Sequence, residues 1–177
     1  MVEDAVNDES PPGRPPITQL GVIAFLIAAV VVVLDQLSKY WILHVVDLPD
    51  RPPIHVLPMF QLTMVWNPGV SFGLLRADSM TGRWVLVLFA LAVVVALGAW
   101  ARGATRPLTA AALGLVMGGA IGNNLIDRVR FGAVADFLDF HSLMFPWIFN
   151  LADSSISVGV ALLLLDSMFR PKADAAP

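Results

Sequence analysis

The chain has no cysteine. A disulfide, a thiolate metal site and a thiol nucleophile are therefore excluded. Histidine is rare: His44, His55 and His141 are scattered and match no familiar metal-ligand spacing. Tyrosine occurs once, and the serines form no recognisable nucleophile motif. Charged residues make up only 14%, and the formal net charge of −3 gives no reason to expect a nucleic-acid partner. Beyond the first ten residues glutamate is missing altogether, so every acid is an aspartate. What remains is apolar. Hydrophobic residues are 57% of the chain and the mean hydropathy is +0.74, the composition of an integral membrane protein.

A bilayer core of roughly 30 Å asks for ~20 mostly apolar residues per spanning helix. Four segments meet that demand: 20–34, continuing as helix through "DQLSKYWILHVV"; 84–100, bracketed by Arg83 and Arg102; 108–126; and 148–165. The third carries Gly114, Gly118, Gly119 and Gly122, small residues that let helices approach closely in lipid. Residues 1–16 hold four acids, four prolines and one arginine and read as a disordered tail, with no basic start or cleavage site of a secretory signal. Residues 170–177 read as a second tail, leaving one membrane domain over 17–169. The fold class expected is thus an all-α, four-transmembrane-helix bundle.

One exception to helix is expected. "MFQLTMVW", 59–66, alternates, with Phe60, Leu62, Met64 and Trp66 on one face and Gln61 and Thr63 on the other. That is a strand pattern, and "NPG", 67–69, follows as a turn. A small sheet at the membrane surface is predicted, with Trp66 and Phe60 as candidates for lipid contact. Four spans put this segment and the stretch 128–147 on one side, and both termini with 101–107 on the other. Counting positive residues does not orient the chain. Arg14, Arg102, Arg106, Arg170 and Lys172 face Arg51, Arg76, Arg83, Arg128 and Arg130 across the membrane.

The polar residues at the span ends are the informative ones. Asp35 and Lys39 are four apart and share a helix face, as a structural ion pair would. Asn124 and Asp127 are three apart, as are Asn150 and Asp153, and both pairs end spans on the sheet side. Arg128 follows the first pair, and Asp136 and Asp139 lie in the loop between. Asn150 and Asp153 fit a helix N-cap with its third residue bonding back. They also fit chemistry. Two carboxylates sharing a proton can activate water against an amide, the route left to a hydrolase lacking Cys, a His cluster and an activated Ser. An intramembrane acid is costly enough to make either reading worth testing.

Five stretches occur together and in order: "DQLSK" at 35–39, "NPGVSFG" at 67–73, "GGAIGNNLIDR" at 118–128, "VADF" at 134–137 and "FNLADSSI" at 149–156. On them the chain resembles the bacterial lipoprotein signal peptidases, the signal peptidase II family, over about residues 20–168. The resemblance implies a four-helix bundle in the cytoplasmic membrane, with an extracytoplasmic sheet and cytoplasmic termini. It implies an aspartyl endopeptidase that cuts diacylglyceryl-modified prolipoproteins before the lipidated cysteine. Its partners would be those substrates and membrane lipids, and it would act as a monomer without metal or organic cofactor. By motif match the dyad is Asp136 and Asp153. Asp35, Lys39, Asn67, Asp127, Arg128 and Asn150 fall on the family's other polar positions.

The family's G-N-x-x-D-R pattern carries an extra residue here, "GNNLIDR". Counted from Asp127 the match is Asn124, and counted from Gly118 it is Asn123. Asn124 is the preferred match, with the extra residue absorbed by a π-bulge. Asp139 is expected to be a solvated loop residue or a local turn former, and Asp153, near a helix N-terminus, the base of the free enzyme. Two other classes fit intramembrane acids: a proton-coupled transporter and a non-catalytic assembly subunit. Transporter sites favour the midplane and internal repeats, whereas these acids gather at span ends without a repeat.

Overall fold

The computed structural model describes residues 16–69, 79–141 and 147–169. The expected disordered tails (but for residue 16) and positions 70–73 of "NPGVSFG" lie outside those residues. Four helices are long and apolar enough to cross a membrane: Gln19–Val45, Met80–Arg102, Pro107–Phe131 and Leu151–Met168. Their starts follow from local chemistry. Thr18 Oγ1 accepts from the Gly21 N–H at 2.9 Å, and Ser79 Oγ accepts from the Gly82 N–H at 3.0 Å, each filling an orphan donor of the first turn. Pro107 opens the third span at N1, where its missing N–H costs nothing. Gly132, at φ 83°, closes that span in the left-handed region that glycine adopts without strain.

The third span is the hub. In its most apolar window 61% of residues are buried, against 28%, 22% and 17% in the first, second and fourth. Its glycines make this possible. A β-carbon at Gly118 would sit 2.6 Å from that of Val31 on the first span, and one at Gly119 would strike the Ala152 carbonyl on the fourth. The outer faces carry exposed Leu26, Leu37, Phe89, Val95 and Leu164, as lipid requires.

At one end the bundle is tied by polar bonds. Thr18 Oγ1 donates to the Ala104 carbonyl at 2.8 Å. Buried Asp166, near the end of the fourth span, pairs with Arg106 at 3.0 Å and accepts from Thr109 at 2.8 Å. The sheet lies at the other end, which agrees with the sidedness expected from four spans.

The sheet is antiparallel in the order β1 (Ile54–Leu57), β2 (Phe60–Asn67), β3 (Val134–Asp139), β4 (Ile148–Phe149). Alternation marks only β2, and two strands come from the later extramembrane stretch. Leu62 and Phe137 pack with Ile42 and Leu48, anchoring the sheet to the top of the first span. The expected alternation through Trp66 does not persist. Leu62 pairs Leu138, but Val65 pairs Asp136, so β2 carries one extra residue opposite Phe137. A bulge of this kind reverses which face later residues occupy. Phe60 stacks on Phe140 at 4.7 Å, while Trp66 is 41% exposed and leans on Phe131.

Candidate active site

The bulge in β2 sets the environment of both aspartates on β3. Asp136 and Asp139 are three apart on a strand and point to opposite faces. Before the bulge, Gln61 and Thr63 share the face of Asp139. After it, Asn67, also odd-numbered, shares the face of Asp136. Accordingly Gln61 Nε2 and Thr63 Oγ1 donate to Asp139 Oδ2 at 2.7 and 2.8 Å, and Asn67 Nδ2 donates to Asp136 Oδ2 at 3.0 Å. Without the extra residue Asn67 would face away from Asp136.

Asp153 arrives from the fourth span. Asn150 is the N-cap: its Oδ1 accepts from the Asp153 N–H at 2.9 Å, and Asp153 Oδ2 accepts from the Asn150 N–H at 3.3 Å. The capping reading of this pair is therefore correct. The cap also faces the other carboxylate. Asn150 Nδ2 donates to Asp136 Oδ1 at 2.7 Å and to Asn123 Oδ1 at 3.0 Å, and Asn123 Nδ2 donates to Asp153 Oδ1 at 2.8 Å. Two asparagine side chains thus fix both carboxylates. Asp136 is 2% exposed, whereas Asp153 is partly open. Burial, then the neighbouring Asp153 charge, push the Asp136 carboxyl up to about 7, against the opposing bonds from Asn67 and Asn150. A buried carboxyl raised to about 7 beside a second, more open carboxyl group can supply the acid and the base of general acid–base catalysis near neutral pH.

Behind them lies a buried charge cluster. Lys39 Nζ is 2.8 Å from Asp35 Oδ2, 2.7 Å from Asp127 Oδ2 and 2.7 Å from Asn123 Oδ1. Gln36 Nε2 bridges the same two carboxylates at 3.1 and 3.0 Å. Backbone donors add to them: Ala152 N–H to Asp35 Oδ1 at 3.2 Å and Ala135 N–H to Asp127 Oδ2 at 3.3 Å. Ala135 and Ala152 each adjoin one candidate catalytic aspartate. The expected Asp35–Lys39 pair is present, and it joins the first, third and fourth spans to β3.

The third span turns π-helical over Ile121–Asp127. Here i→i+5 bonding widens the turn and brings positions four apart closer to register than positions three apart. Asn123, not the preferred Asn124, therefore lies with Asp127 against Lys39 and also reaches Asp153. Asn124 acts elsewhere. Its Oδ1 accepts from Arg128 Nε at 3.0 Å, while Arg128 Nη1 donates to the Pro68 carbonyl at 2.8 Å and Nη2 to that of Gly69. Asn67 Oδ1 accepts from the Gly69 N–H at 3.0 Å. Arg128 thereby fixes the turn that aims Asn67 at Asp136. All nine candidate residues thus belong to one assembly; Asn123 and Gln36 complete it. Gln36 follows Asp35 directly, yet no spacing in the sequence marks its reach to Asp127.

Asp139 is not a solvated loop residue, the first of its two expected states; its bond from the His141 N–H two residues on fits the second, a local turn former. It ends β3, is 4% exposed, and also accepts from the His141 N–H at 3.0 Å. Its hydrogen bonds from Gln61, His141 and Thr63 outweigh burial and hold its carboxyl below the usual range. Asp139→Asn keeps only one of its two acceptor oxygens, but at a position separate from Asp136, so it should retain more than about half of any turnover while Asp136→Asn does not. Initial rates of the two variants on one substrate decide this. A dead Asp139→Asn beside a live Asp136→Asn would transfer the acid role three residues along.

Comparison with known proteins bears on most of the chain. The profile of the family described as signal peptidase (SPase) II matches residues 27–169. A lipoprotein signal peptidase of Caulobacter vibrioides is 59% identical over 151 residues, covering 85% of this chain and 89% of its own. One from Beijerinckia indica is 46% identical, covering 86% and 91%. A solved bacterial membrane enzyme superposes with a TM-score of 0.73 at 28% identity, over 92% of this chain and 98% of that one. A second gives 0.71 at 30% identity, over 88% and 98%.

Proposed function

The chain belongs to the signal peptidase II family, and from that premise we propose that it is an aspartyl endopeptidase with Asp136 and Asp153 as its dyad. As a member it is a multi-pass membrane peptidase that removes signal peptides from prolipoproteins. The finer reading is cleavage of the diacylglyceryl-modified precursor immediately before the lipidated cysteine. The protein acts as a monomer in the bacterial inner membrane, with the sheet and dyad toward the extracytoplasmic face and the termini in the cytoplasm. The observation that supports the mechanism is the unequal exposure of two carboxyls linked through Asn150: Asp136 is 2% exposed and raised to about 7, and Asp153 is partly open at a helix N-terminus.

In this mechanism the Asp153 carboxylate takes a proton from water as the oxygen attacks the scissile carbonyl. Asp136 gives its proton to the carbonyl oxygen, and a neutral gem-diol forms. Collapse returns that proton to Asp136 and passes the one on Asp153 to the departing amine. Asn67 and Asn150 hold Asp136 through both steps, and Asn123 orients Asp153. An apolar groove of about 440 Å³ between the first, third and fourth spans is lined on the fourth by Leu151 and Ser155, one turn apart on a face that Asp153 does not share.

The test is cleavage of a purified diacylglyceryl-modified precursor in detergent, with the unmodified precursor as control. Only the modified one should be cut. The acid limb is testable too. Asp136 must be protonated to donate, so the rate should fall as pH rises through about 7. A rate that stays flat from about pH 6 to about pH 9 would remove Asp136 as the acid.

A further inference from the structure

Arg130 differs from Arg128 and Arg83, its neighbours at the end of the third span. Arg128 is spent on the carbonyls of the turn, and Arg83 Nη2 donates to the Val129 carbonyl at 2.6 Å. Arg130 is exposed, and among the described residues its guanidinium has no ion pair and no hydrogen bond. It lies 4.8 Å over the ring of Phe131. With Phe131 it walls a notch of about 20 Å³ whose other lining includes Gln36, Lys39, Tyr40 and His44 of the first span. These four follow one helix face. The His44 and Tyr40 rings pack at 4.9 Å and both are exposed at the mouth. Deeper in, Lys39 contacts both Asp35 and Asp127. Arg130 is the cation at the notch without an ion pair among the described residues.

We propose that this notch binds the phosphate of an anionic membrane phospholipid. The volume admits about one oxygen-sized group. One phosphate oxygen enters, and the remaining oxygens stay at the mouth against Arg130, whose planar fork suits phosphate. The Tyr40 hydroxyl and a His44 ring nitrogen supply neutral or charged donors beside it. A lipid is favoured over free phosphate by position. The notch is formed where two spans end, at headgroup depth, with Tyr40 and Trp41 as an aromatic belt and exposed Leu37 below them for an acyl chain. The proposal rests on the orientation given above, which sets Arg130 at the extracytoplasmic surface within reach of the headgroups of that leaflet. Because Gln36 and Lys39 form the floor, the bound headgroup would sit one side chain away from the cluster behind the dyad.

Native mass spectrometry of the full chain in detergent, titrated with phosphatidylglycerol, tests this. The wild type should retain phosphatidylglycerol and Arg130→Gln should bind it about tenfold more weakly, a loss of one charge-assisted contact. Arg130→Lys should recover part of the affinity. Arg51→Gln, which removes an exposed cation elsewhere on the same side, should change nothing. Phosphatidylcholine should bind weakly to all of them, and inorganic phosphate alone should not raise the thermal midpoint. Equal retention by wild type and Arg130→Gln, phosphatidylcholine bound as well as phosphatidylglycerol, or a midpoint rise from phosphate matching that from lipid would each overturn the proposal. Binding is read without cleavage, so its failure leaves the peptidase reading standing, and the reverse also holds.

Discussion

Asp136→Asn and Asp153→Asn are each expected to lower cleavage of a lipidated precursor by ~10³-fold or more, with the bundle still inserted. Either change removes a proton that the reaction must move. An amide at position 153 cannot take a proton from water. An amide at position 136 cannot give one to the carbonyl oxygen and recover it. Folding should survive, because each new amide keeps a carbonyl oxygen. At position 153 that oxygen still accepts from the Asn150 N–H, and at position 136 it still accepts from one of the two amide donors, Asn67 or Asn150. The two carboxyls act as a unit, so the double variant should be little worse than either single one. Initial rates on one purified precursor, beside thermal unfolding in detergent, give both quantities. Near-normal turnover by either single variant would end the aspartyl assignment.

Lys39→Met should produce the largest loss of stability. Its ammonium is 2% exposed and is the only cation in contact, among the described residues, with Asp35 and Asp127, both 0% exposed. Removing it leaves two buried carboxylates without a counter-charge, a change that costs about 3–5 kcal/mol for a broken buried pair. The thermal midpoint in detergent should collapse, and activity with it. Lys39→Met combined with Asp35→Asn and Asp127→Asn removes the orphaned charges while keeping acceptors for the Ala152 and Ala135 N–H groups. The triple variant should recover much of the midpoint. It should not recover cleavage, because Asn123 loses the Lys39 donor that orients it toward Asp153. If Lys39→Met unfolds at the wild-type midpoint, the cluster is not what holds this end of the bundle together.

The surrounding assembly shows how far local pattern reaches. The pairing of Asp35 with Lys39 and of Asn150 with Asp153 was legible because each lies within one turn of an α-helix, where spacing alone sets proximity. The choice between Asn123 and Asn124 was not, since the α-helical rule accepts both; the π turn over Ile121–Asp127 separates them, giving one to Lys39 and Asp153 and the other to Arg128. The solvated state expected of Asp139 fails for a related reason. Its partners Gln61 and Thr63 are 78 and 76 residues away, and no local pattern records a partner at that distance.

The sequence by itself determined the membrane class, the spans, the side on which the acids gather and the family, because a bilayer dictates long apolar runs and the motifs are short and contiguous. Tertiary structure decided which of Asn123 and Asn124 meets Asp153, and what sets Asp136, the motif's choice, toward the fourth span with Asp139 away from it. Those outcomes hang on one extra residue in β2 and one widened turn in the third span. Each rotates side chains by a face without altering the hydrophobic pattern, so only the packed strands and helices reveal them.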